Sequence, residues 1–218
     1  RQARTFKVKN LIINDKKTFD SLRLIKNKYN FKIYNNFDCY KKLFPKKIDY
    51  VMSSIVGLGG LSPTIDIIKH TKKIAIANKE SIICAWNLIK YQLDKHKTNF
   101  IPVDSEHFSL WFGMKNINNK SIKKIILTAS GGPFLNLSKN KFKKIKLIDA
   151  INHPTWKMGN KISIDSATLI NKVYEVIEAR NIFNFPLDKI EIVIHPKSYV
   201  HAIIEFNNGL IKIIAHET

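Results

Sequence analysis

Glycine is scarce and late in this chain: eight in 218 residues, the first at Gly57. No glycine-rich phosphate turn can therefore lie in the first 56 residues, because such turns need glycine for close backbone approach to a pyrophosphate. Cysteine is scarcer still. Cys39 and Cys84 show no CxxC spacing and sit among apolar residues, so they are read as reduced core residues rather than a disulfide or a metal pair. No run of ~18 uncharged apolar residues exists and no start resembles a signal peptide, so the expectation is a soluble chain with no membrane partner. What is present, 44% hydrophobic and 25% charged residues with seven Pro, excludes low-complexity, collagen-like and disordered classes.

Acidic residues are also few. Against 17 Asp and Glu stand 37 Lys and Arg, a net charge of +20. Only four of the 37 are Arg, at positions 1, 4, 23 and 180, and Lys is the poorer residue for bidentate base or phosphate forks. The Lys are spread from Lys7 to Lys212 and travel with Asn and Ile, residues that share A/T-rich codons. Compositional bias thus accounts for the excess, and no specific nucleic-acid partner is expected. A basic polyanion-binding protein stays as an alternative.

Apolar runs give a βα rhythm. Strands are expected at 6–14, 31–34, 50–56 (buried) and 73–77, and helices at 16–29, 37–43, 61–69 and 80–96. That is part of a doubly wound, Rossmann-like parallel sheet over residues 1–101. Residues 102–218 read as an α+β domain: strands at 99–103, 123–128, 190–194, 199–206 and 210–215, one long helix at 166–183, and a hairpin turn at Asn207-Asn208-Gly209. The overall class is α/β. Gly57-Leu58-Gly59-Gly60-Leu61-Ser62 nearly matches GxGxxG, but Ser62 replaces the third glycine and Pro63 follows it. The chain opens without Met and stops directly after a strand, so a fragment is expected.

Four groupings could carry chemistry. Asp104 and Glu106, at i and i+2 on an extended backbone, put two carboxylates on one side, as hard ligands for Mg²⁺ or Mn²⁺ or as a solvated acidic turn. Ser130-Gly131-Gly132 after a strand offers converging N–H groups and a hydroxyl to an anion, or is an ordinary turn. Asn171, Lys172 and Glu175 share a helical stripe, with Ser166 near its start, and read as a phosphate-plus-metal surface or a solvated face. His153-Pro154-Thr155-Trp156-Lys157-Met158-Gly159 reads as a lid loop or a core anchor.

The strings Ala77-Asn78-Lys79-Glu80-Ser81, Pro102-Val103-Asp104-Ser105-Glu106-His107, Ser130-Gly131-Gly132-Pro133-Phe134, 153–159, and Asp165-Ser166-Ala167-Thr168 with Asn171-Lys172 and Glu175 occur in this order. Together they resemble the 1-deoxy-D-xylulose 5-phosphate reductoisomerase family, from about Val8 to the end. The resemblance implies an NADPH- and divalent-metal-dependent enzyme, homodimeric, acting on a small phosphorylated sugar in isoprenoid precursor synthesis. It implies that Asp104, Glu106 and Glu175 bind the metal. Ser105, Glu106, Lys79 and His153 would contact substrate, and Ser130, Ser166, Asn171 and Lys172 its phosphate. Asn78, Glu80 and Gly159 would face NADPH, with Trp156 and Met158 in a lid over residues 152–159. Lys79, Glu106, His153 and Glu175 are the residues expected to act in catalysis. A metal chelated by ketone and hydroxyl oxygens polarises the carbonyl and lowers the hydroxyl pKa, favouring carbon–carbon cleavage and rejoining before reduction. The chain departs from the family in lacking its N-terminal glycine-rich turn and C-terminal helical domain, and in carrying Val173 where Gly follows Asn-Lys. The last departure keeps a non-catalytic descendant open. The cytoplasm is the expected location, or a plastid-type organelle in a plastid-bearing organism.

Overall fold

The computed structural model describes residues 2–24, 30–152 and 159–216. Its first half is βα units, as the period of the apolar residues requires. After α1 (Gln2–Thr5), β1 (Asn10–Ile12) and β2 (Lys32–Tyr34) pair in parallel, with α2 (Lys16–Leu24) between them. Beyond a short turn of 3-10 helix at Phe37–Cys39 and α3 (Tyr40–Leu43) come β3 (Ile48–Ser53), α4 (Leu61–Ile68), β4 (Thr71–Ile76), α5 (Lys79–His96) and β5 (Asn99–Pro102). β3, β4 and β5 form a parallel sheet in that order. Central β4 buries Ile74, Ala75 and Ile76 completely, the continuous apolar strand expected of a sheet covered on both faces. Ile67, Ile68, Ile82, Ile89 and Leu93 of α4 and α5 close over it.

The second half changes to a mixed sheet. It runs α6 (Ser105–Gly113), β6 (Ile122–Ala129), α7 (Leu147–Ile151), α8 (Asn160–Ala167), α9 (Ile170–Phe183), β7 (Ile190–Ile194), β8 (Val200–Phe206) and β9 (Ile211–Ala215). Strand order is β7-β6-β8-β9; β7 runs parallel to β6, while β8 and β9 are antiparallel. Leu110 of α6, Met114 just after it and Ala179 of α9 pack on Ile122, Ile125, Leu127, Ala202 and Ile204 on one face of this sheet. Gly209, at φ +84°, takes the left-handed position of the β8–β9 turn. α9 also joins the halves: Ile182 packs into the first core, and Asn181 Nδ2 donates to the Ile82 carbonyl at 3.4 Å.

Several expectations are corrected. The parallel part is two separate sheets among the described residues, because β1 and β2 make no ladder with β3. β3 is an edge strand, with Tyr50 and Met52 half exposed, rather than a buried one. The strand expected at 6–14 shrinks to the three residues of β1, and Phe6, just past the end of α1, is exposed. Residues 105–113 are helix, so Ser105, Glu106 and His107 open a helix rather than forming an acidic turn, and His107, Ser109 and Leu110 face inward and Phe112 outward. The long helix is two, because Leu169 adopts φ +59° and the Thr168 hydroxyl closes α8 by donating to the Ile164 carbonyl at 3.0 Å. Both cysteines are free, but Cys84 is exposed and Cys39 half-buried; neither is core.

Candidate active site

β5 ends at Pro102, and two residues later Asp104 is the N-cap of α6. The two carboxylates are therefore gathered by a helix N-terminus, not by an extended backbone. The arrangement has an electrostatic reason: the partial positive charge of the first helical turn favours acidic groups. α9 runs alongside and presents Asn171, Lys172 and Glu175. The ligand oxygens of Asp104, Glu106 and Glu175 all fall within 4.8 Å of one another. β6 ends nearby in Ser130-Gly131-Gly132, both glycines at positive φ. A Cβ on Gly132 would lie 2.8 Å from the Ser166 carbonyl oxygen, so glycine there lets the turn close on the last turn of α8.

Asp104, Ser105, Glu106, Ser130, Ser166, Asn171, Lys172 and Glu175 line one cleft of about 380 Å³, joined by Ile162, Leu169, His201 and His216. Eight expected residues thus converge from β5–α6, β6, α8 and α9. Lys79, nearly buried at the first residue of α5, reaches the same cluster: its ammonium lies 3.1 Å from Asp104 Oδ2 and donates to Asn171 Oδ1 at 2.5 Å. Burial opposes the charge on Lys79, but Asp104, Glu175 and Glu178 outweigh it and hold its pKa above the usual range. Lys172 bridges the other two acids, 2.8 Å from Glu106 Oε1 and 2.5 Å from Glu175 Oε2, and donates to the Thr128 carbonyl. Ser105 donates to Glu106 Oε2 at 2.5 Å.

Charge balance here is incomplete. Burial, followed by the neighbouring Glu106 and Asp104 carboxylates, pushes Glu175 up to about 8. Burial works against Glu106 too, but His201 and Lys172 keep it below the ordinary carboxylate range. Asp104 is held well below that range despite its burial, chiefly by Lys79 and His107. The buried oxygens Asp104 Oδ1 and Glu175 Oε2 receive no directed hydrogen bond; Lys172 and His107 approach them as charge contacts. Three hard oxygen donors, two with unsatisfied atoms, fit Mg²⁺ or Mn²⁺.

A deeper layer escaped the sequence reading. His107, fully buried, lies 3.2 Å from Asp104 Oδ1 and 3.8 Å from Glu178 Oε2, and its Nε2 donates to the Glu175 carbonyl at 2.9 Å. Burial lowers the imidazole's affinity for its proton, but the acids around it, Asp104 first, raise its pKa to about 9. The signals were there: His107 is i+3 from Asp104 and Glu178 i+3 from Glu175, the spacing that keeps residues on one helical face.

The other expected residues fall elsewhere. Asn78 is buried, donates to the Ile55 and Gly57 carbonyls and caps α5 by accepting from Ser81 N at 2.6 Å. Glu80 pairs with Lys161 of α8 at 3.4 Å, across the two halves. Gly159 is the N-cap of α8, with open space beside it. His153, Trp156 and Met158 lie outside the described residues. Val173 is 49% exposed and does not line the cleft, so its branched side chain does not crowd the site.

Residues 1–86 match the family model for 1-deoxy-D-xylulose 5-phosphate reductoisomerase, and residues 100–183 match the model of that enzyme's C-terminal domain. The chain belongs to the 1-deoxy-D-xylulose 5-phosphate reductoisomerase family. The reductoisomerase of Pelagibacter ubique is 56% identical over all of this chain and 57% of its own length, and that of Chloroherpeton thalassium 39% identical over 97% and 55%. Among solved structures, a reductoisomerase complex with NADPH, fosmidomycin and magnesium superposes with a TM-score of 0.87 at 32% identity, covering 98% of this chain and 55% of that one. The Zymomonas mobilis reductoisomerase with NADPH gives 0.85 at 33% identity, covering 99% and 55%. The chain spans a little over half the length of the curated reductoisomerases it matches.

Proposed function

We propose that this chain supplies the metal and substrate site of a reductoisomerase converting 1-deoxy-D-xylulose 5-phosphate to 2-C-methyl-D-erythritol 4-phosphate with NADPH, in isoprenoid precursor synthesis in the cytoplasm. The observation that carries the reading is the Asp104, Glu106 and Glu175 cluster sharing one cleft with Ser130, Ser166, Asn171 and Lys172. Residues 1–101 would be part of the nucleotide domain, and 102–218 the catalytic domain with the lid at 152–159. Among the described residues no helix is long and apolar enough to cross a membrane.

Asp104, Glu106 and Glu175 would hold Mg²⁺ or Mn²⁺, which supplies a Lewis acid for a ketone and its neighbouring hydroxyl. The hydroxyls of Ser130 and Ser166, the Asn171 amide and the Lys172 ammonium would bind the phosphate, whose distance from the reacting carbons turns remote binding energy into orientation. Lys79 would keep Asp104 ionised and meet substrate oxygens together with Ser105, Glu106 and His153. NADPH supplies the hydride. The loops at the carboxyl ends of β3 and β4, where open α/β sheets take ligands, suit it: Val56 and Leu58 are exposed, and the space beside Gly57 and Gly59 is open. Asn78, Glu80 and Gly159 would border the cofactor, and Trp156 and Met158 would close over the substrate. A second copy of the chain is the fitting partner for the outer face of the β7-β6-β8-β9 sheet, where Ile126, Ile203 and Ile213 stand in one row.

The test is Glu175→Gln and Asp104→Asn in the protein that carries this chain. Each should abolish metal-dependent turnover and weaken Mn²⁺ binding by about ten-fold or more, since each removes one anionic ligand from a site of three. Turnover at the unsubstituted rate would overturn the assignment.

A further inference from the structure

One wall of the cleft consists of two histidine rings that the reaction described above leaves without a task. His201 is in β8, and His216 directly follows β9. The antiparallel register carries on past the last residue of β9, because His216 N donates to the Tyr199 carbonyl at 3.1 Å. That register lays the imidazole of His216 flat on that of His201, with 3.9 Å between centroids and 2° between planes. Each ring is then tied to α6. His201, 4% exposed, has Nδ1 3.9 Å from Glu106 Oε2. His216 Nε2 lies 3.2 Å from Ser109 Oγ.

The direction of that last bond follows from proton counting. The Ser109 hydroxyl has one proton and gives it to the Ser105 carbonyl at 2.7 Å. Its oxygen can therefore only accept, so His216 donates through Nε2–H. Ser105 in turn donates its own hydroxyl to Glu106 Oε2. The result is a closed circuit: Glu106, His201, His216, Ser109, Ser105 and back to Glu106. Every link ends on the first turns of α6 or on a ring pressed against it. Partners that orient a metal ligand from behind typically carry about 10–100-fold of the metal affinity.

We propose that His216 is a positioning residue that fixes the His201 ring against Glu106 and so sets the orientation of the Glu106 carboxylate toward a divalent cation. This rests on reading Asp104, Glu106 and Glu175 as a cation site. The stack, rather than the charge of His216, carries the effect, so a flat apolar ring serves in its place.

The experiment is Mn²⁺ binding to the protein that carries this chain, followed by electron paramagnetic resonance of the free and bound ion, with thermal melts alongside. His216→Ala should weaken binding about ten-fold, the low end of the range seen for outer-shell partners, while the melting temperature stays near that of the unsubstituted chain. His216→Phe should restore binding to within about two-fold, because the ring–ring contact returns without the Ser109 bond. Should His216→Ala not fold, His216→Leu keeps an apolar side chain without the flat ring and should weaken binding to the same extent, because the stack on His201 is lost. Binding by the unfailing variant equal to the unsubstituted chain overturns the proposal, as does His216→Phe binding as weakly as His216→Ala. If the unsubstituted chain binds no Mn²⁺, the cation reading itself falls and this inference with it; if it binds and only the His216 result is flat, the cation reading stands alone.

Discussion

An ammonium that is nine-tenths buried is tolerable only where oxygens surround it, and Lys79 has them: Asp104 Oδ2 at 3.1 Å and Asn171 Oδ1 at 2.5 Å. Removing one member of a buried pair leaves the other charge desolvated and alone. Lys79→Met should therefore destabilise the chain by about 3 kcal/mol, the low end for a broken buried pair given the other cation at Lys172. Denaturant unfolding measures this, and a loss under about 1 kcal/mol, the range of an exposed pair, would show that Lys79 is not holding Asp104. At this scale much of the candidate site could be read beforehand. Asp104, Ser105, Glu106, Ser130, Ser166, Asn171, Lys172 and Glu175 come as short polar strings, and the cleft holds all of them. His107 and Glu178 were marked only by their i+3 spacing from Asp104 and Glu175, and His201 and His216 could not be separated from ordinary strand residues. His201 and His216 meet only through the register of a hairpin whose polar ends lie far apart in sequence from α6.

Two joints, rather than any long element, place the phosphate-side residues. Gly132 at φ +69° brings the β6 turn against the end of α8, and Leu169 at φ +59° bends the chain between α8 and α9. Without the second, Ser166 would ride one continuous helix with Asn171, about 100° per residue fixing them on different faces. The expectation of a single helix at 166–183 fails for a plain reason. Leu169 has no glycine or proline signature, yet takes a left-handed conformation, which is costly for any residue with a Cβ. Gly132→Ala should accordingly cost about 1–3 kcal/mol, from a Cβ 2.8 Å from the Ser166 carbonyl plus positive φ. Leu169→Gly should be tolerated within about 1 kcal/mol, whereas Leu169→Val, branched at Cβ, should lose about 1–2 kcal/mol. Equal midpoints for the Gly and Val variants in urea would mean the joint is not strained in solution.

Across the whole molecule, the βα rhythm of the first half and the hairpins of the second were legible because their periods differ, and the sheets follow that division. What the rhythm could not give was the separation of β1 and β2 from β3, which depends on ladder contacts among short strands. Nor could it give the outward side of the mixed sheet. There, register aligns Ile126 of β6, Ile203 of β8 and Ile213 of β9, while Lys124 sits between Glu191 at 2.8 Å and Glu205 at 3.4 Å. Ile211 and Ile213 are 61% and 59% exposed on the edge strand. An apolar row bordered by a self-neutralising charge ladder is poorly solvated and carries no net repulsion toward a copy of itself, despite the chain's overall +20. A two-fold contact between identical sheets also needs only one surface to satisfy both partners. Sedimentation velocity of the chain at increasing concentration should therefore show a monomer–dimer equilibrium. Ile213→Lys, which sets like charges facing one another across a two-fold axis, should shift it to monomer with little change in the melting of the monomer itself, since that side chain touches solvent and not the core. A chain that sediments as a monomer at every concentration, or an Ile213→Lys variant that dimerises as well as the original, would place the partner contact elsewhere.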